Sequence, residues 1–139
     1  MRATPSILVV DDETDHCLNL ADILGEFDYV VDVANDGPKA LELLEENSYD
    51  AALLDLSMPG MDGLALFRRI RGLSPELPAC FITANTFGGL ADEIRKSRAG
   101  PILGKPLDVP RLLYWIDGAV GRRRCAAGPS RRDPAAGLQ

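Results

Sequence analysis

At 139 residues, 46% of them apolar, the chain can bury one continuous core and is too short for two ordinary domains. Residues 1–121 carry ten basic and twenty acidic side chains and residues 122–139 carry five and one, so an acidic body precedes a basic tail. Cys17, Cys80 and Cys125 lack metal-ligand spacing and cannot all pair, and Ile7 to Val10 is far short of a signal-peptide core or a membrane span, so a cytoplasmic protein without a leader or membrane span is expected.

Ser6 to Val10 is an unbroken apolar run rich in β-branched residues and reads as a strand buried on both faces. Asp11, Asp12 and Glu13 follow it. From Thr14 to Glu26, Cys17, Leu20, Ala21 and Leu24 recur at helical spacing and lead to Phe27, giving helix one. Tyr29 to Ala34 is a second strand. Asn35-Asp-Gly-Pro carries a turn and a helix start, and Ala40, Leu41, Leu43 and Leu44 form helix two, ending near Asn47.

Strand three, Ala51 to Asp55, ends on a carboxylate before a proline- and glycine-marked loop. Asp62 then caps a helix striped by Leu64, Phe67 and Ile70 that runs to Gly72. Ala79 to Thr83 is strand four. Gly88 and Gly89 weaken the start of helix four, which is clear from Leu90 to Ser97. Pro101 to Gly104 is a very short fifth strand suited to a sheet edge, and Val109, Leu112, Leu113, Ile116 and Val120 stripe a fifth helix behind Asp108.

Five strands alternating with amphipathic helices predict a doubly wound (βα)5 α/β domain with a parallel sheet covered on both faces. Function in such a sheet gathers outside the carboxyl ends of the strands, where strand order reverses. In the flavodoxin-like order 2-1-3-4-5, Asp11, Asp12 and Asp55 meet at that edge. Thr83 and Lys105 close strands four and five on the same rim. Converging carboxylates repel: a like-charged pair about 4 Å apart costs on the order of 4 kcal/mol at an effective dielectric near 20. A hard divalent cation, Mg²⁺ or Mn²⁺, and the fixed charge of Lys105 answer that repulsion. Asp55 is then a competent nucleophile toward a phosphoryl group. Taken singly, each residue also has a plain reading: Asp11 and Asp12 as helix caps, Asp55 as a loop acid, Thr83 as a strand former and Lys105 as a solvated charge.

The joint pattern also carries a resemblance. Val-Val-Asp-Asp-Glu at 9–13, Asp-Leu-Ser-Met-Pro-Gly-Met-Asp-Gly at 55–63, Thr-Ala at 83–84 and Lys-Pro at 105–106 stand in order over roughly residues 5–121. In these the chain resembles a response-regulator receiver domain, the phosphoacceptor module of bacterial two-component signalling, here of the stand-alone type. The resemblance implies that Asp55 is phosphorylated by a histidine kinase or a histidine phosphotransfer protein. Asp11, Asp12, Asp55 and the main-chain carbonyl of Ser57 would hold Mg²⁺. Thr83 would turn its hydroxyl to the phosphoryl group, Lys105 would pair with it, and the Lys105-Pro106 bond would be cis. Such a domain is not an enzyme of general turnover; it catalyses only its own phosphorylation and dephosphorylation.

The chain departs from that family at Ile102, where receivers usually carry a switching aromatic residue. Isoleucine is stiff at χ1 and has no ring, so the face formed by helix four, strand five and helix five is expected to respond less, or by another route. Ser57 and Asn85 occupy positions that in the family shape water access to the phosphoryl group. His16 reads as a surface or edge residue without a second ligand nearby in sequence. By family analogy His16, Leu18 and Asn19 form a phosphodonor contact, and Tyr114 and Trp115 on helix five a candidate contact for an unknown downstream protein.

The arginine-rich tail, 122–139, reads as disordered and holds no folded DNA-binding domain. A monomer or weak dimer is expected. Two rivals differ in class. A haloacid-dehalogenase-type Mg-dependent phosphohydrolase would carry Asp at position 13, where this chain has Glu13; a non-phosphorylated interaction module has no use for the acid set.

Overall fold

The structure, a computed structural model, describes residues 4–56, 62–84, 89–97 and 100–127. Strands and helices alternate without exception: β1 (Ser6–Val10), α1 (Thr14–Glu26), β2 (Val30–Ala34), α2 (Gly37–Glu46), β3 (Ala51–Asp55), α3 (Gly63–Leu73), β4 (Ala79–Thr83), α4 (Gly89–Ser97), β5 (Ile102–Gly104) and α5 (Val109–Ala127). The strands pair in parallel in the order β2-β1-β3-β4-β5, the flavodoxin-like order.

Each apolar run is placed by its pattern. β1, β3 and β4 are interior strands and are buried almost throughout, as continuous apolar strands in a two-sided sheet must be. Alternate side chains serve opposite faces. Leu8, Val10, Leu54 and Phe81 pack with Leu44 of α2, Phe67 and Ile70 of α3, and Ile94 of α4. Ile7, Val9, Leu53 and Ile82 pack with Leu20 and Leu24 of α1, and with Leu112 and Ile116 of α5. Each fully buried leucine or isoleucine contributes about 1.5–3 kcal/mol relative to exposure. β2 and β5 are the edges. Pro101, which cannot donate to a ladder, precedes β5 there, and its carbonyl accepts from Phe81 N at 2.9 Å.

Among the described residues, side-chain caps start three helices. Asp36 Oδ1 accepts from Lys39 N at 2.8 Å, Asp62 Oδ1 from Ala65 N at 2.8 Å, and Asp108 Oδ1 from Arg111 N at 3.2 Å. Arg71 fastens the end of α3 to the approach of β4: its guanidinium lies 4.5 Å over the Phe67 ring and donates to the carbonyls of Ser74, Pro75 and Leu77.

Several boundaries differ from the sequence expectation, most by a single residue: α3 ends at Leu73 and α4 begins at Gly89. Tyr29 and Pro101 lie just outside β2 and β5. The larger difference is α5, which continues to Ala127, into the expected disordered tail at 122–139. Arg122-Arg-Arg-Cys-Ala-Ala contains neither glycine nor proline, and arginine and alanine are among the strongest helix formers, so local propensity carries the helix on. The stop signal in the sequence is Gly128-Pro129.

α3 begins hard against the end of β3. Gly63 N donates to Leu56 O at 3.3 Å, and a Cβ at position 63 would stand 2.5 Å from Asp55 O and 3.0 Å from Leu56 Cα. Both obstacles are backbone, so only glycine fits without moving the strand end or the helix. Gly63→Ala is expected to lower the free energy of unfolding by about 1–3 kcal/mol, as overpacking does. Urea denaturation measures it, and an unchanged midpoint would contradict the close approach.

Candidate functional site

The site grows out of strand register. Val10 pairs with Leu54, so Asp11 and Asp55 stand side by side at the ends of β1 and β3. Thr83 pairs with Gly104, which brings Thr83 and Lys105 onto the same rim. The ladder extends through these residues: Asp11 N donates to Ala34 O at 3.1 Å, Leu56 N to Ile82 O at 2.9 Å, and Lys105 N to Thr83 O at 2.8 Å. The sheet itself therefore holds the rim.

Asp11, Asp55 and Thr83 are buried, while Asp12 is exposed and Lys105 half-buried. Lys105 Nζ lies 3.6 Å from Asp11 Oδ2 and 3.7 Å from Asp55 Oδ2, a single ammonium between two carboxylates. Asp11, Asp12 and Asp55 each present an oxygen within 4.8 Å of the others. One cation against three anions leaves net negative charge at the rim. Three hard oxygen donors, two of them on buried carboxylates, fit Mg²⁺ or Mn²⁺ and offer nothing to a soft ion.

The plain reading of Asp11 and Asp12 as helix caps does not describe the turn. The N-cap of α1 is Glu13, with no side-chain cap bond. Asp11 Oδ1 instead accepts from Glu13 N at 3.0 Å, turning the chain off the strand, while Oδ2 faces Lys105. Beneath it Cys17 Sγ donates to Asp11 O at 3.3 Å. Burial, then the negative charge of Asp11, pushes the Cys17 thiol up to about 11. Sequence reasoning placed Cys17 only on the apolar stripe; its distance from Asp11 along the chain gave no sign of this contact.

The other expected residues are placed as follows. Ser57 and Asn85 lie outside the described residues. The Lys105-Pro106 bond is cis. Ile102 is partly buried against the cluster that contains Phe81 and Ile94. Leu18 and Asn19 are exposed on α1. Tyr114 is 85% exposed, whereas Trp115 packs partly against the α1 and α5 side of the core. Pro101, Ile102, Arg111, Tyr114 and Trp115 line a groove of about 360 Å³ between β5 and α5. His16 is exposed, and it has two carboxylate neighbours: Nδ1 is 3.2 Å from Glu13 Oε1, one helical turn back in the sequence, and 3.8 Å from Asp11 Oδ2, which the bend after β1 brings near.

A parallel sheet of this order, with carboxylates and a lysine gathered where the strand order reverses, defines a flavodoxin-like α/β fold with a charged site on one rim. Comparison with known proteins narrows the class. Residues 7–117 match the model of the response regulator receiver domain, and the chain belongs to that family. The transcriptional regulatory protein ZraR of Klebsiella oxytoca is 37% identical over 130 residues, covering 94% of this chain and 29% of its own length. The sensor histidine kinase RcsC of Salmonella typhi is 41% identical over 110 residues, covering 79% of this chain and 12% of its own. The chain thus spans less than a third of the length of these relatives. Among solved structures, a receiver domain protein from Clostridium thermocellum superposes with a TM-score of 0.79 at 27% identity, covering 88% of this chain and 98% of that one. The response regulator TrrA of Thermotoga maritima, solved with Mg²⁺ and beryllofluoride, gives 0.73 at 27% identity, covering 83% and 98%. The family is one of phosphoacceptor domains of two-component systems. Among the described residues no helix is long and apolar enough to cross a membrane.

The charge balance at the rim makes a prediction that needs no phosphorylation. Asp55→Asn removes one of three crowded charges and is expected to raise the thermal midpoint in metal-free buffer by about 3–5 °C, while Lys105→Met lowers it by a similar amount. Mg²⁺ should stabilise the unaltered chain more than the asparagine variant. Calorimetry reads all three, and a destabilised Asp55→Asn would contradict the repulsion.

Proposed function

We propose that Asp55 is the phosphoacceptor, taking a phosphoryl group from a histidine kinase or a histidine phosphotransfer protein, and that the chain then signals by binding a partner or passes the group along a relay. One observation carries this reading: Asp55 Oδ2 lies on the rim 3.7 Å from Lys105 Nζ and within metal-sharing reach of Asp11 and Asp12. In the transfer, a carboxylate oxygen of Asp55 attacks phosphorus while the bond from phosphorus to the donor imidazole nitrogen breaks, and that nitrogen keeps the electron pair. Lys105 pairs with the arriving phosphoryl oxygens, and the Thr83 hydroxyl donates to one of them. Asp11, Asp12, Asp55 and the main-chain carbonyl of Ser57 would hold Mg²⁺ or Mn²⁺, which when bound neutralises oxygen charge as it builds. The Mg²⁺ and beryllofluoride complex of the related TrrA supports that assignment.

On this reading the chain catalyses only its own phosphorylation and dephosphorylation, in the cytoplasm, as a monomer or weak dimer. Ser57 and Asn85 shape water access to the phosphoryl group. His16, Leu18 and Asn19 on α1 meet the phosphodonor, and Tyr114 and Trp115 on α5 meet the downstream protein. Residues 1–121 are the receiver body and 122–139 a basic extension whose first part prolongs α5.

Incubation with Mg²⁺ and acetyl phosphate is expected to add one phosphoryl group by intact mass, lost in Asp55→Asn and in the presence of excess chelator. Steady release of phosphate from esters, or labelling that survives Asp55→Asn, would overturn the assignment. The readout is tested separately. Ile102 carries no ring to swing, so beryllofluoride is expected to shift amide resonances around Asp55 and Thr83 more than those of β5 and α5. Ile102→Tyr is expected to enlarge the response on β5 and α5; an equally large response in the unaltered chain would sink the idea.

A further inference from the structure

Asp11 belongs to a second side-chain cluster besides the one it forms with Asp12 and Asp55. Glu13 and His16 stand three residues apart around the first turn of α1, and both reach back toward the end of β1. His16 Nδ1 lies 3.2 Å from Glu13 Oε1 and 3.8 Å from Asp11 Oδ2, and the three donor atoms all fall within 4.8 Å of one another. Ligands held tetrahedrally at the ordinary zinc-to-nitrogen and zinc-to-oxygen lengths of about 2.0–2.2 Å are separated by about 3.3–3.6 Å. The two measured separations bracket that edge. Nδ1 pairs with Glu13 Oε1 at 3.2 Å and stands farther, at 3.8 Å, from Asp11 Oδ2, so one imidazole faces two carboxylates at once.

The donor set differs in kind from the three carboxylates beside it. Mg²⁺ takes oxygen ligands, whereas one imidazole with two carboxylates suits a borderline ion. Burial is graded to match. The Asp11 side chain is 6% exposed and fixed by the sheet, while His16 at 47% and Glu13 at 60% face solvent and leave room for a water as fourth ligand. We propose that Asp11, Glu13 and His16 form a second metal site, one that takes a divalent transition ion such as Zn²⁺ and shares Asp11 with the acidic group around Asp55.

Sharing gives the site a consequence. Asp11 Oδ2 is the oxygen that faces both Lys105 and His16. An ion on the His16 side draws that oxygen away from Lys105 and from Asp12 and Asp55, so occupancy of the second site opposes cation binding at the first. This consequence rests on the phosphoacceptor reading given above; the site itself does not.

The test uses the full chain in Mg²⁺-free buffer, with Zn²⁺ titrated calorimetrically and Co²⁺ as an optical probe of ligand geometry. One equivalent of Zn²⁺ is expected to bind, with affinity reduced about tenfold or more in His16→Gln and in Glu13→Gln, and Co²⁺ is expected to give visible bands that His16→Gln abolishes. Both substitutions lie on exposed side chains, and circular dichroism checks their fold. Absence of Zn²⁺ binding, or binding equally strong in both variants, would overturn the site, the latter because the ion then sits on Asp11, Asp12 and Asp55. In a second arm, Zn²⁺ is expected to slow Mg²⁺-dependent labelling by acetyl phosphate in the unaltered chain and not in His16→Gln. A chain that binds Zn²⁺ through His16 yet never labels refutes the phosphoacceptor reading and leaves the metal site standing; one that labels equally fast with and without Zn²⁺ refutes the antagonism.

Discussion

Two carboxylates are held level at the ends of neighbouring strands, and the rest of the rim follows from that constraint. Parallel strands lie about 4.8 Å apart. With Val10 paired to Leu54, Asp11 and Asp55 cannot move away from each other without breaking the ladder. The apolar clusters on both faces of β1 and β3 hold that register, so hydrophobic burial sustains an electrostatic conflict that the two acids would not adopt in isolation. Lys105, delivered from the far edge by the pairing of Thr83 with Gly104, offsets part of it. What remains is a rim that attracts cations because the fold prevents its anions from relaxing.

Close packing at Gly63 serves the same constraint. The Asp55 backbone is bounded on one side by the β4 ladder and on the other by the first turn of α3, which approaches until a Cβ would collide with Asp55 O. The carboxylate is thus carried on a strand end with little freedom to translate, and positioning of this kind is where proximity contributes to phosphoryl transfer. Across the sheet the linkage is looser. β5 is three residues long at an edge, and Ile102 at its start is only partly buried. The carboxylates and Thr83 therefore stand at the ends of interior strands, while Lys105 and the candidate signalling face lie at an edge strand.

Most of this was legible in the sequence, for reasons that can be named. Ser6 to Val10, Ala51 to Asp55 and Ala79 to Thr83 are interior strands whose two-sided burial demands unbroken apolar runs, and each run ends where charge or a hydroxyl begins. Asp36, Asp62 and Asp108 announce helix starts because a side-chain acceptor three residues before a free N–H is a local device. What escaped the sequence is non-local or decided by competition. The length of α5 turned on the helix propensity of arginine and alanine, which outweighs a composition that otherwise resembles a tail. The surroundings of His16 depend on how the chain bends between Val10 and Thr14, a bend set by the bond from Glu13 N to Asp11 Oδ1 that no periodicity records.

That bend also separates the roles of two adjacent acids. Asp12 is exposed and brings its carboxylate to the acidic group with Asp11 and Asp55. Asp11 is buried, and its atoms face three ways: Oδ1 to the Glu13 amide, Oδ2 to Lys105 and His16, and the main-chain carbonyl to the Cys17 thiol. Glu13, His16 and Cys17 all stand at the start of α1 and all contact Asp11, so a change of charge or ligation there meets the rim without crossing the core. On the β5 side the rim is joined by backbone pairing, Thr83 with Gly104, in the strand that begins at Ile102. One side of the rim thus meets its surroundings through charged groups, whose interactions salt screens, and the other through backbone pairing, whose bonds it does not.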